Sequence, residues 1–229
     1  MNKFDPVLLQ KKKTYIATFQ FGYLTDTLDN TGEILEKTDI IPTLQQLQDI
    51  LPNFIGIQDQ MPPQYSAKSV NGKRAYDMAR KGEYVELKPC KIEIFDIQVL
   101  KQLSLDTYQF SITCSAGTYI RSIARDLGTS LNSLATMTDL VRTQSGVFNI
   151  QDSIKLEDFA SDKILSMQLV LNDYPILNIT ETELKTLLDG KRVILQNATD
   201  DTYIVYCQNN IQCLCQVIDK VLKPTTWLR

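Results

Sequence analysis

Apolar and polar residues alternate along positions 14–21 (TYIATFQF), with Tyr15, Ala17, Phe19 and Phe21 on one side and Ile16, Thr18 and Gln20 on the other; Gly22 ends the run. A two-residue period of this kind predicts a strand with one face in a core. The TDTLDNTGEI that follows is dominated by Asp, Asn, Thr and Gly, whose side chains compete for backbone hydrogen bonds, and reads as a loop. The period then changes. In TLQQLQDIL, Leu44, Leu47, Ile50 and Leu51 recur at helical spacing, and Thr43 with Gln46 has the form of a capping box. Alternation returns in KIEIFDIQVL and again in LDTYQFSITC, where Tyr108, Phe110, Ile112 and Cys114 share a face, so two consecutive strands predict an antiparallel pair.

After Ser115-Ala116-Gly117, the residues Ile120, Ile123, Ala124 and Leu127 follow the helical period, with Thr118 as the natural N-cap and Gly128 as the C-terminal stop. Tyr119 and Arg121 then fall in the first turn, where free backbone N–H groups and the positive end of the helix favour an anion. An ordinary helix start with a surface arginine gives the same pattern. Between these elements, residues 60–82 (QMPPQYSAKSVNGKRAYDMARKG) open on a rigid Pro62-Pro63 pair, pass a turn at Asn71-Gly72 and become helical through Ala75, Met78 and Ala79. The stretch is poor in large aliphatics and rich in Lys, Arg and Tyr, which suits a solvated surface and an RNA-contacting one equally.

Towards the C-terminus, YPILNITETELKTLLDGKRV reads as a turn, a helix capped at Thr180 or Thr182 and a stop at Gly190. TYIVYC and IQCLCQVI form a hairpin across Gln208-Asn209-Asn210, with Cys213 and Cys215 on the face of Ile211 and Val217 as core packing. These elements predict an α+β fold: a mixed, mainly antiparallel sheet with flanking helices over residues 1–150, and a small β-rich module over residues 151–229.

Composition narrows the chemistry. There is no histidine among the 229 residues, which excludes Ser/His and Cys/His nucleophile pairs, HExxH metal sites and histidine acid–base catalysis. The five cysteines are an odd number without a CxxC pair, and predict thiols rather than a disulfide framework or a metal site. No stretch reaches the roughly 18 uninterrupted apolar residues of a membrane helix, and no signal-peptide core opens the chain, so a cytoplasmic protein is expected. The 24 basic and 27 acidic side chains leave a net charge of −3, an unpromising figure for a polyanion partner. The acidic excess lies entirely beyond residue 150, however, and Lys68, Lys73, Arg74, Arg80 and Lys81 against Asp77 make a local basic cluster.

In their order, KKKTYIATFQFG, TDTLDNTGEI, QMPPQYSAKSVNGKRAYDMARKG, SAGTYIRSIARDLG and LVRTQSG resemble the TruB family of tRNA pseudouridine synthases over nearly the whole chain from about Lys3. The tail is similar, more weakly, to that family's small C-terminal RNA-binding module. The resemblance implies isomerisation of a T-loop uridine in tRNA without metal or cofactor, by a monomer that binds the T-arm. It implies that Tyr15 stacks on the flipped base, that Tyr119 and Leu140 line the pocket and that Arg121 pairs with the catalytic carboxylate. Lys73, Arg74 and Arg142 are implied RNA contacts. The family places its nucleophilic aspartate in an HxGTLDPxAxG segment upstream of the strand that begins at Tyr15, and this sequence contains no such segment. Asp5-Pro6 precedes Tyr15 by ten residues without the Gly-Thr-Leu, and NKFDPVLLQKKKTY is similar instead to a later stretch of the family. The expectation is a synthase domain over 1–150 lacking its N-terminal part and one core strand, inactive as written for want of its nucleophile, with a non-catalytic tRNA-binding or tRNA-folding protein as the alternative. Lys68 stands one position before the family's usual lysine and is assigned no ligand.

Overall fold

In the computed structural model, which describes residues 12–70, 73–80, 85–160 and 163–228, the first alternating run is strand β1 (Lys13–Phe21) and Gly22 turns it at a φ of +101°. The Asp- and Thr-rich stretch holds more regular structure than a loop: β2 (Tyr23–Thr25) pairs with β3 (Ile34–Lys37) as a short hairpin around the polar turn. Asp26 is the reason, since its Oδ1 accepts from Glu33 N at 2.9 Å and closes the hairpin from within. Helix α1 (Leu44–Ile50) carries the expected capping box, with Thr43 N donating to Gln46 Oε1 at 2.8 Å and Gln46 N donating to Thr43 Oγ1 at 3.3 Å.

Strand β4 (Gly56–Gln60), a small β5 (Ser69–Val70) and β6 (Lys73–Arg74) pair, and α2 (Ala75–Ala79) lead to the long β7 (Cys90–Gln102). The predicted Asn71-Gly72 turn lies outside the described residues. Strand β8 (Thr107–Cys114) pairs antiparallel with β7 as predicted, α3 (Ile120–Ser130) follows, and β9 (Ala135–Ser145) and β10 (Phe148–Asn149) complete a six-stranded sheet in the order β10-β9-β1-β8-β7-β4. The predicted face of β1 is the core face. Ala17, Phe19 and Phe21 pack with Tyr108, Phe110 and Ile112 beneath Leu47 of α1 and Ile123, Ala124 and Leu127 of α3. Phe19 and Phe110 approach to 4.8 Å between ring centroids, and each such buried ring contributes roughly 1.5–3 kcal/mol.

Helix α3 corrects the sequence reading at both ends. Its N-cap is Tyr119, not Thr118, and no side chain of the cap residue serves its first turn. At the other end Gly128 lies inside the helix, which runs on to Ser130. A Cβ at Gly128 would stand 2.7 Å from Ala135 N, so this glycine permits the start of β9 to cross the helix at close range rather than terminating it.

The compact unit just described spans Gln10–Ser153, and a smaller one is built on Ile154–Arg229. Its elements are α4 (Met167–Leu171), β11 (Ile176–Asn178), α5 (Glu181–Leu188), β12 (Val193–Ile194), β13 (Thr202–Cys207), β14 (Asn210–Ile218) and β15 (Val221–Trp227). The sheet order is β11-β13-β14-β15-β12. Part of the predicted turn in YPIL is strand β11, which gains its regularity from parallel pairing with β13, a partner some 28 residues ahead that no local pattern reveals. Thr180 is the cap of α5, with Glu183 completing its capping box. The hairpin turns at Gln208 and Asn209, whose φ values are +50° and +61°. Cys213, Cys215 and Val217 do pack in one core, but Ile211 packs on the opposite side with Leu171, because a register shift between Val205 and Tyr206 reverses the alternation there.

Candidate active site

The first turn of α3 is held from outside. Gln60, at the end of β4 and 3% exposed, accepts from Tyr119 N through Oε1 at 2.8 Å and donates from Nε2 to the Tyr119 carbonyl at 3.1 Å. One carboxamide thereby does the work of a missing cap. The following residues are laced to the same helix, with Ser122 Oγ and Arg125 Nη2 both donating to the Met61 carbonyl at 2.9 and 3.0 Å.

Arg121 projects from this turn into the loop between β2 and β3. Its Nη1 donates to Asp29 Oδ2 and to the Thr27 carbonyl, each at 2.9 Å, and Nη2 donates to the Tyr65 carbonyl at 3.0 Å. The other Asp29 oxygen accepts from Thr27 Oγ1 at 2.8 Å, Thr31 Oγ1 at 2.6 Å and Thr31 N at 3.1 Å. Partial burial pushes the Asp29 carboxyl up, but the hydrogen bonds from Thr31 and Thr27 and the Arg121 charge outweigh it and hold the group below its ordinary value. The loop itself is tied to β9 by Met137 N donating to the Leu28 carbonyl at 3.1 Å and by Asn30 Nδ2 donating to the Thr138 carbonyl at 3.0 Å.

Arg121 and Asp29 line a cavity of about 980 Å³ together with Asp26, Glu33, Tyr65, Tyr76 and Arg80. The Arg80 guanidinium lies 4.4 Å over the Tyr76 ring, and Tyr65 meets that ring edge-on at 6.2 Å. Mixed charge with aromatic faces suits a nucleotide better than an apolar ligand. Among the described residues no group of His, Cys, Asp and Glu is arranged to hold a metal ion.

The remaining residues singled out by sequence stand apart from this cavity's lining or have side chains outside the described atoms. Tyr15 stands opposite Arg142 across the β1–β9 pair. Burial raises the pKa of its phenol, with Cys114 adding to the rise and the Arg142 hydrogen bond and charge opposing it. Leu140 faces Ala17 in the same pair and is 39% exposed. Tyr15, Tyr119, Leu140 and Arg142 are not among the residues lining the cavity that Arg121 enters. Lys73 and Arg74 form β6, and their side chains lie outside what is described, as does Asp5. Sequence reading missed Asp29 and Gln60 as site residues. The Thr-x-Asp-x-Thr spacing around Asp29 is a signal for a carboxylate saturated by local donors, whereas nothing local marks Gln60, whose partner is 59 residues away.

Residues 1–120 match the family model described as TruB family pseudouridylate synthase (N terminal domain), and residues 121–174 match the tRNA pseudouridylate synthase B C-terminal domain. The chain belongs to the TruB family. The junction of the two matches falls in the first turn of α3, well before the boundary at Ser153 between the compact units, so the site is assembled across both matched segments. Among TruB relatives, the chain is 39% identical over 185 residues to the tRNA pseudouridine synthase B of Borreliella afzelii, covering 80% of this chain and 65% of that protein. It is 37% identical to the synthase of the same name from Clostridium novyi, covering 89% of this chain and 73% of the relative. For the relatives from Borreliella afzelii, Caulobacter vibrioides and Rickettsia felis, the matches span only 65%, 64% and 61% of their lengths. The fold is similar to that of a chain in a Cbf5-Nop10-Gar1 complex, with a TM-score of 0.67 at 18% identity, covering 98% of this chain and 68% of that one. It is also similar to a chain of an H/ACA RNP bound to a substrate RNA containing 2'-deoxyuridine, again with a TM-score of 0.67, at 16% identity over 100% of this chain and 70% of the other.

Proposed function

We propose that this TruB-family chain serves tRNA pseudouridine formation: a T-loop uridine is flipped from the T-arm, its glycosidic bond is broken, and the base is rotated and rejoined through carbon. The observation that carries this reading is the anchored Arg121. A guanidinium pinned by Asp29, Thr27 and Tyr65 at a helix N-terminus, beside an aromatic cavity, is a preorganised cation for the carboxylate and phosphate charges of such a reaction. Asp29 itself is an anchor and not a nucleophile, because both of its oxygens are already engaged by donors. Tyr15 stacks on the flipped base, and its phenol, raised by burial, stays protonated near neutral pH and donates rather than abstracts. Leu140 and Tyr119 confine the base, and Lys73, Arg74 and Arg142 contact RNA phosphate. The protein acts as a cytoplasmic monomer on the T-arm.

The experiment is pseudouridine formation on unmodified tRNA, measured for the 229-residue chain and for a form extended upstream to the next in-frame start. Pseudouridine in the T-loop is expected with the extended form, and Arg121→Ala is expected to lower its single-turnover rate by about a hundredfold or more, the consequence of removing a preorganised, part-buried charge. Tight tRNA binding by both forms without pseudouridine would overturn the enzymatic reading in favour of a tRNA-binding protein.

A further inference from the structure

The lysine that stands one position early in this sequence does not face the cavity. Ser66 and Ala67 line it, and Lys68 does not. Its Nζ instead donates to the Lys88 carbonyl at 2.9 Å and lies in direct contact with Cys90 Sγ at the first residue of β7. Both side chains rise from hydrogen-bonded or strand-paired backbone. The Lys68 carbonyl accepts from Ala75 N at 2.8 Å, and Cys90 is paired with Gln60 across β4 and β7. Cys90 is also the one cysteine of the five that is not buried.

We propose that Lys68 and Cys90 form a redox modification site, at which peroxide joins the two side chains through a sulfur–nitrogen bond. The chemistry follows from the contact. Hydrogen peroxide takes two electrons from the Cys90 sulfur, its O–O bond breaks, and sulfenic acid and one water result. The Lys68 ammonium first releases one proton to solvent, and the free amine attacks that sulfur, so that the S–N bond forms as the S–O bond breaks. The departing hydroxide takes a second proton from the nitrogen and leaves as another water. The linked product is lighter than the two free side chains by two hydrogen atoms. A sulfenic acid condenses in this way with whichever nitrogen or thiol stands against it, and here that neighbour is the Lys68 amine. The other four cysteines, buried in the cores, are shielded from the oxidant. The link would join the two ends of the segment that carries Tyr76 and Arg80, both walls of the Arg121 cavity.

The test is peptide mapping by mass spectrometry of the purified chain, before and after hydrogen peroxide, with free thiols blocked before digestion. Expected after oxidation is a Cys90 peptide joined to one that trypsin no longer cuts at Lys68, two hydrogen atoms lighter than the sum of its parts and separated again by dithiothreitol. The joined species should be absent from Cys90→Ser and from Lys68→Gln. Oxygen adducts or a disulfide at Cys90, with Lys68 still cut by trypsin, would overturn the proposal, and the wild-type map alone decides this even if a variant fails to fold.

Discussion

Asp29 carries the clearest consequence for a single residue. Its carboxyl is held below its ordinary value of 3.8, so the unfolded chain binds more protons than the folded one as pH falls past that value. The stability it contributes is complete above about pH 4 and is lost as pH drops through the folded-state value. Asp29→Asn should therefore be less stable than the wild type at neutral pH and lose less on acidification, which urea midpoints measured from pH 7 to pH 3 would reveal; parallel curves would refute the pairing. Tyr15 acts on a different quantity. In the role proposed for it, Tyr15 engages the base only after the base has left the arm, so Tyr15→Leu should lower the single-turnover rate about tenfold or more while tRNA affinity changes by less than about threefold. Equal losses in both would remove Tyr15 from the base-stacking role.

At the level of elements, two competing magnitudes meet at Gly128. Alanine is favoured over glycine inside a helix by about 1 kcal/mol, but the added methyl would meet the Ala135 backbone nitrogen at 2.7 Å. Backbone cannot rotate aside as a side chain does, and overpacking of this kind costs roughly 1–3 kcal/mol. Gly128→Ala is thus expected to destabilise the protein by up to about 2 kcal/mol, read as a lower urea midpoint; a gain in stability would mean that α3 and β9 separate more readily than their contact suggests. The start of the same helix departs from the local sequence signal. Thr118 is the better capping residue by chemistry, yet the cap is Tyr119, whose backbone N–H and C=O are both bonded by the buried Gln60 carboxamide at the end of β4.

For the whole molecule, net charge is a poor guide to the RNA partner we propose. The acidic excess lies beyond residue 150, and the basic cluster around Lys73 and Arg74 belongs to the segment between β4 and β7. Changing Lys73 and Arg74 together to glutamine should weaken tRNA binding and reduce the slope of log affinity against log salt by about 1–2. An unchanged slope would return the cluster to an ordinary solvated surface. We place the division between a synthase domain and the smaller module near residue 150, which limited proteolysis of the chain would test. Much of the architecture was legible in the sequence because strand alternation, the Thr43 and Thr180 capping boxes and the Gln208-Asn209 turn are local: each is set by residues within a few positions of one another. The family blocks likewise singled out Arg121 without any knowledge of its surroundings. What the linear order could not carry were the relations between distant segments: the parallel pairing that makes β11 a strand, the register shift that turns Ile211 away from Cys213, and the close crossing at Gly128. The site has the same division. The sequence by itself determined that an arginine falls in the first turn of a helix and that an Asp- and Thr-rich stretch turns the chain after β1. Only the tertiary structure decided that these two meet, and that Gln60 holds the helix in place, because such contacts depend on how the sheet orders its strands and not on spacing along the chain.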